Sequence, residues 1–206
     1  MKPLLESREI AALVLAAGRA RRFGADKRLV LLENEGQVQP LIVHALRPWF
    51  AVFAKVAVVL RPDDGEVRRV LVDAFADRVQ CVECLRADEG MGHSLAAGVA
   101  ATAEARGWVV GLADMPWVPT TAIAGVRDAL MSGAALAAAY RAARRGHPVG
   151  FSDRYRQELM DSTGDVGARL FFQRDAEHVV RVAIDDEGIF ADVDTPQDLI
   201  FSRSTS

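Results

Sequence analysis

Two glycines and four basic side chains fall between Leu15 and Lys27, in the stretch LAAGRARRFGADK. Gly18 and Gly24 let a backbone approach an anion closely, Arg19, Arg21 and Arg22 offer forked donors, and Lys27 offers a movable point charge. With the free backbone N–H groups of such a loop, this is phosphate-binding chemistry; the competing reading is a solvated basic surface loop. Two familiar nucleotide loops do not fit. A dinucleotide fingerprint needs glycine two residues after Gly18, where Ala20 stands, and a P-loop needs glycine then lysine where Phe23 and Gly24 stand. The second chemical feature is Asp114. It closes the apolar run WVVGLA at 108–113, and Pro116 and Pro119 prevent a simple continuation of that strand. A carboxylate so placed is the first candidate to hold the Mg2+ that accompanies a triphosphate, because magnesium takes one or two carboxylates together with phosphate oxygens and water.

Such residues need a scaffold, and the hydrophobic pattern provides one. Apolar runs suited to strands occur at 11–17, 55–60, 79–85, 108–113, 134–140 and 179–184. Helical patterns separate most of them, at 41–46, 66–75, 94–104, 121–131, 153–159 and 166–172. The clearest is 66–75, where Val67, Val70, Leu71, Ala74 and Phe75 form one stripe. Strands alternating with helices predict an α/β fold with a mainly parallel sheet covered on both faces, whose ligands gather beyond the carboxyl ends of the strands. The loop at 18–27 follows the first strand, 88–94 follows the third, and Asp114 ends the fourth. The segment 141–146, carrying Arg141, Arg144 and Arg145, reads as a solvated basic turn, the alternative being a gate on the acceptor side of the site.

The chain has 206 residues, half of them hydrophobic, which is enough for one large core, and residues 1–206 are taken as a single domain. A net charge of −3 argues against a surface built to neutralise nucleic acid. No apolar run reaches membrane-spanning length, and Glu6 and Glu9 interrupt what would be a signal peptide, so the expected location is cytoplasmic. Cys81 and Cys84 invite a redox or zinc reading. Their odd spacing on a strand sends the side chains to opposite faces, and His44, His93, His147 and His178 are scattered singly, so both are read as reduced packing residues.

The pattern AAGxxxRxGxxK at 16–27 resembles the signature loop of the nucleotidyltransferases, and most closely that of the molybdenum cofactor cytidylyltransferases within the MobA-like NTP transferase superfamily. GMGHSL at 90–95, LADMP at 112–116, GHPV at 146–149, GDVGAR at 164–169 and DVDTP at 192–196 resemble further segments of that family in the same order. The resemblance implies a three-layer α/β/α, Rossmann-like (GT-A-like) nucleotidyltransferase fold. It implies an enzyme in which a phosphate oxygen of the acceptor attacks the α-phosphorus of CTP and pyrophosphate leaves, with no protein nucleophile. In that scheme Leu15, Ala16, Ala17, Gly18, Arg19, Gly92 and Ser94 contact the nucleotide, and Arg22 and Lys27 hold the β- and γ-phosphates. Asp114 holds the metal with Asp194, or with Asp192, from the same segment.

Each assignment has a plainer alternative. Asp194 could cap a helix started by Pro196, unless Thr195 does so, and Ser94 could be an ordinary N-cap. The Ala16-Ala17 pair resembles the cytidylyl branch, whereas the guanylyl branch usually carries an extra glycine. On the acceptor side the resemblance points to His147, Asp165 and Arg169 for a phosphorylated pterin. His147 could equally be an extended loop residue before proline, and Asp165 a cap. GTP or another NTP, a different phosphorylated acceptor, a molybdoenzyme partner, and a catalytically silent nucleotide-binding protein stay open as alternatives.

Overall fold

The structure, a computed structural model, describes residues 9–18, 26–34, 36–164 and 168–199. A seven-stranded sheet forms its centre. Its strands are β1 (Ile10–Leu15), β4 (Val56–Leu60), β5 (Val79–Glu83), β6 (Gly107–Leu112), β7 (Leu136–Arg141), β8 (Arg144–Ser152) and β9 (Val179–Ala183), in the order β5-β4-β1-β6-β8-β7-β9. All run parallel except β8, which is antiparallel to both β6 and β7. A separate two-stranded ribbon pairs β2 (Leu31–Asn34) with β3 (Gln37–Pro40).

Strand alternation splits the core into two layers. Along β1, Ala12 and Val14 face one cluster and Leu13 and Leu15 the other, as the two-residue period of a strand covered on both sides requires. The first layer is closed by α1 (Leu41–Phe50), α2 (Gly65–Phe75) and α4 (Thr120–Met131), through Leu46, Trp49, Leu71 and Ile123. The second is closed by α3 (Met91–Ala101), α5 (Arg156–Met160) and α6 (Arg169–Arg174), through Leu95, Val99, Leu159, Phe171 and Phe172. Cys81 packs against the first cluster and Cys84 lies in the second, so the two thiols do face opposite ways, and both are free. No helix among the described residues is long and apolar enough to cross a membrane.

Beyond the β2–β3 ribbon, where no strand was expected, the structure departs from the sequence expectation at the β7–β8 connection and at α3. The segment 141–146 is not a solvated turn. It is a tight hairpin with Ala142 at φ 52°, and β8 begins at Arg144. Gly146, Pro148 and Gly150 disguise β8 as a loop. The ladder accommodates the proline because the pairing to β7 shifts register between Ala138 and Tyr140, and the pairing to β6 ends at Val149. Helix α3 begins at Met91, earlier than the expected 94, with Gly90 (φ 119°) in the capping position.

This topology fixes where a site can form. From β1 the chain passes outward through β4 to β5, then returns across the sheet to β6 on the other side of β1. The crevice beyond Leu15 and Leu112 is therefore the point where strand order reverses. Because β8 alone is reversed, the beginning of that strand, Arg144 to His147, arrives at the same edge as the ends of its neighbours.

Candidate active site

At this edge Leu15, Ala16, Ala17, Gly18, Lys27, Arg28, Asp88, Gly90, Met91, Ser94, Asp114 and Asp194 line a cleft of about 420 Å3. One end is ionic. Lys27 opens a short 3₁₀ turn, Lys27–Leu29, and its Nζ donates to Asp114 Oδ2 (2.9 Å), Asp194 Oδ1 (3.1 Å) and the Val193 carbonyl (2.6 Å). Burial opposes its charge, but the two aspartates outweigh that and raise the ammonium above its ordinary value. The Val193 N–H donates to the Asp114 carbonyl (2.9 Å), which sews segment 192–194 onto the end of β6.

The capping alternative for Asp194 is resolved by Asp198. Its Oδ2 accepts from Asp194 N (3.0 Å), Thr195 N (2.7 Å) and Thr195 Oγ1 (2.9 Å) and its N–H donates to the Thr195 carbonyl (3.1 Å), so Thr195 holds the capping position and the Asp194 carboxylate reaches Lys27 instead. Asp192 does not join it. Although two residues away on the same segment, it lines a neighbouring cavity with Trp117, Arg144 and Phe190. Burial first, then the charges of Asp114 and Asp194, push its carboxyl above the ordinary value. Asp114 Oδ1 is buried and has no hydrogen-bond partner among the described residues. An orphaned carboxylate oxygen beside a second carboxylate suits a hard cation. Among the described residues no cluster of three ligating side chains exists, so a cation here would draw the rest of its shell from substrate oxygens and water.

Arg28, which the sequence reading passed over, braces the backbone next to this end. It is 4% exposed, and its guanidinium donates to Asp26 Oδ1 and Oδ2, to both oxygens of Asp64, and to the Ala16 carbonyl, at 2.6–2.8 Å. That engages every N–H of the fork. Burial acts against the charge, yet the two aspartates hold it firmly protonated. Asp64 in turn accepts from Arg61 N (2.8 Å) and Arg61 Nη2 (3.2 Å). Since a trans peptide points its N–H opposite to its C=O, fixing the Ala16 carbonyl on Arg28 turns the Ala17 N–H away from it. The signal in the sequence was Arg28 itself, adjacent to Lys27 and to Asp26, but its second acid partner, Asp64, lies 36 residues away after β4.

The other end of the cleft is small and weakly polar. Ser94 is buried in the first turn of α3, with Gly90 in the cap position, so its hydroxyl faces the cleft rather than capping the helix. Gly92 does not line the cleft. A Cβ there would meet the Thr163 backbone at 2.7 Å, and its N–H donates to the Gly164 carbonyl (2.7 Å), so it anchors α3 to loop 162–164. On the far side, His147 of β8 is half-buried with Nδ1 unpartnered. Burial pushes its imidazole down to about 4, with Asp114 opposing and Arg145 reinforcing. Arg169, the first residue of α6, is exposed and within electrostatic reach of Arg145. Arg19, Arg22 and Asp165 lie outside the described residues.

Comparison with known proteins follows the same lines. A family model for the MobA-like NTP transferase domain matches residues 12–180. Nicotine blue oxidoreductase from Paenarthrobacter nicotinovorans is 32% identical over 197 residues, covering 92% of this chain and 94% of the relative. The crystal structure of Rv0371c from Mycobacterium tuberculosis H37Rv superposes with a TM-score of 0.76 at 26% identity, covering 92% of this chain and 95% of that one. The manganese complex of the same protein gives 0.73 at 26% identity, over the same shares of both chains.

Proposed function

The chain belongs to the MobA-like NTP transferase family, and from that premise we propose that it transfers the CMP group of CTP to the phosphate of a phosphorylated pterin, molybdopterin, releasing pyrophosphate. The observation that carries the reading is the convergence of Lys27, Asp114 and Asp194 at one end of a cleft whose other end is formed by Ala16, Ala17, Gly18 and Ser94. A triphosphate needs cations at one end and a small, hydrogen-bonding pocket for its base at the other.

Asp114 and Asp194 would hold a divalent cation, magnesium by preference, which supplies charge neutralisation to the phosphate oxygens when bound. The manganese complex of Rv0371c supports a divalent ion in this fold. Lys27, with Arg22, is assigned to the β- and γ-phosphates. Ser94 and the backbone at 15–18 are assigned to the base, and the Ala16-Ala17 pair is the ground for CTP over GTP. In the reaction an acceptor phosphate oxygen forms a bond to the α-phosphorus as the bond from that phosphorus to the bridging oxygen breaks, and the electron pair leaves with pyrophosphate. The acceptor oxygen is already ionised. Positioning and charge stabilisation therefore supply the rate, with no base required.

The test is pyrophosphate release with magnesium and each of CTP, GTP, ATP and UTP, with and without molybdenum-loaded molybdopterin. Release confined to CTP plus the pterin is expected; release with GTP alone overturns the base assignment. A second reading rests on the 32% identical relative, which is named as an oxidoreductase. Reduction of nicotine blue by the chain with an added two-electron donor, with no pyrophosphate released from any nucleotide, would establish that reading instead.

A further inference from the structure

The hairpin joining β7 to β8 carries three arginines, and the fold treats them differently. Arg141 is paired with Asp185 (3.1 Å) and Glu187 (3.2 Å), and Arg144 lies flat over Phe190 at 4.0 Å from the ring centroid. Arg145 turns to the opposite face. Its guanidinium rests on the Phe172 ring of α6, 4.5 Å from the centroid, and the side chain is half-buried. Among the described residues no carboxylate or carbonyl oxygen accepts a hydrogen bond from it; its charged neighbour is Arg169, of the same sign, and Tyr140 stands opposite it on the β7–β8 ladder. Burial lowers its affinity for the proton, Tyr140 resists, and Arg169 adds to the lowering.

A half-buried cation beside another cation, with no acid among the described residues paired to it, is a place an anion would stabilise. The position makes this more than a surface cluster. Two residues further along the same strand is His147, which feels both Arg145 on one side and Asp114 on the other. The positive charge therefore sits at the sheet edge where β6 ends in Asp114, on the layer that α3 also closes.

We propose that Arg145, together with Arg169, receives the phosphate monoester of the acceptor and presents its oxygen toward the Asp114 end of the cleft. This rests on the nucleotidyl-transfer reading and adds Arg145 as the residue that binds and orients the acceptor's phosphate. A guanidinium fork fits a monoester dianion bidentately, and the Phe172 ring fixes the plane of the fork before the ligand enters.

The experiment uses the full chain saturated with magnesium and α,β-methylene-CTP, so that the triphosphate end is filled, and titrates inorganic phosphate by calorimetry. Phosphate should bind, and Arg145→Met, which keeps the stem that packs on Phe172, should weaken it at least tenfold, with Arg145→Lys in between. Arg141→Ala, whose guanidinium is already paired, should leave the affinity unchanged. Equal phosphate affinity in Arg145→Met and the parent chain, or no phosphate binding by the parent, overturns the proposal. Should Arg145→Met melt well below the parent, Arg145→Lys decides by the same criterion. Binding of the analogue is read first in the same cell. Its failure counts against nucleotidyl transfer, while the difference between Arg145→Met and the parent still reports on the phosphate site.

Discussion

Asp114 carries two different demands on its two oxygens. Oδ2 accepts from Lys27, whereas Oδ1 is buried without a partner among the described residues, an arrangement that costs on the order of 1–3 kcal/mol unless a ligand completes it. Asp114→Asn preserves the shape and removes the charge, so pyrophosphate release should fall by about 100-fold or more while the melting temperature changes little. Near-normal turnover in that variant would remove the carboxylate from the metal site. His147 makes a prediction of another kind. Its folded proton affinity lies near 4 against an ordinary 6.5, so the unfolded chain takes up the proton first as pH falls. Stability from the neutral imidazole is present above pH 6.5 and is lost as the pH drops toward 4. The loss should be about 2 kcal/mol after allowing for partial exposure. Urea denaturation at pH 7 and pH 4.5 should show a smaller difference for His147→Asn than for the parent chain.

At the scale of elements, Arg28 and Gly92 show how the site is braced. Arg28→Lys keeps a positive charge but cannot reach Asp26, Asp64 and the Ala16 carbonyl together. It should cost about 1–3 kcal/mol and raise the KM for CTP more than it lowers kcat, because it loosens the backbone at Ala16 and Ala17 without touching the ionic end. A KM equal to the parent's would make Arg28 a stability residue only. Gly92→Ala drives a methyl into the Thr163 backbone and should lower stability by about 1–3 kcal/mol in thermal melts. These elements also mark what the sequence could reveal. The strand ending at Asp114 was legible because its signal is local, a carboxylate closing an apolar run before two prolines, whereas segment 192–194 entered only through the family resemblance, since nothing in its local sequence points to Asp114. Arg28 was not, because its meaning depends on Asp64, a partner brought in by β4. Strand β8 was not, because a proline and two glycines are local signals for a loop, and only the bulge opposite Ala138 and Tyr140 makes them compatible with a central strand. Gly92 was legible as part of a motif but not in its place, since a glycine needed by a neighbouring backbone looks the same in sequence as one needed by a ligand.

Taken whole, the molecule divides its labour at the strand reversal. The half built from β1, β4, β5 and α3 supplies the backbone loop and Ser94, and the half built from β7, β8 and α6 supplies Arg145, His147 and Arg169. Asp114 and Asp194 lie between them. A ligand that bridges the halves should tighten the entire chain, so magnesium with CTP at about 100 times its Kd should add about 2.7 kcal/mol of stability. The shift should be visible as a rise in melting temperature and should shrink on adding EDTA. A shift of equal size with and without the chelator would separate nucleotide binding from the metal.

Lys27 adds one more consequence. Without a ligand its ammonium is the resident counter-ion of Asp114 and Asp194, one monovalent cation against two carboxylates. A bare divalent ion must displace it and leave it without an anion in a buried place, whereas the same ion arriving on a triphosphate brings the anion Lys27 would move to. Admission is thus by exchange, and the order of arrival is built in: Mn2+ alone should bind weakly, Mn2+ with CTP tightly, and Lys27→Met should strengthen the first while weakening the second, as followed by the proton relaxation of water around the manganese.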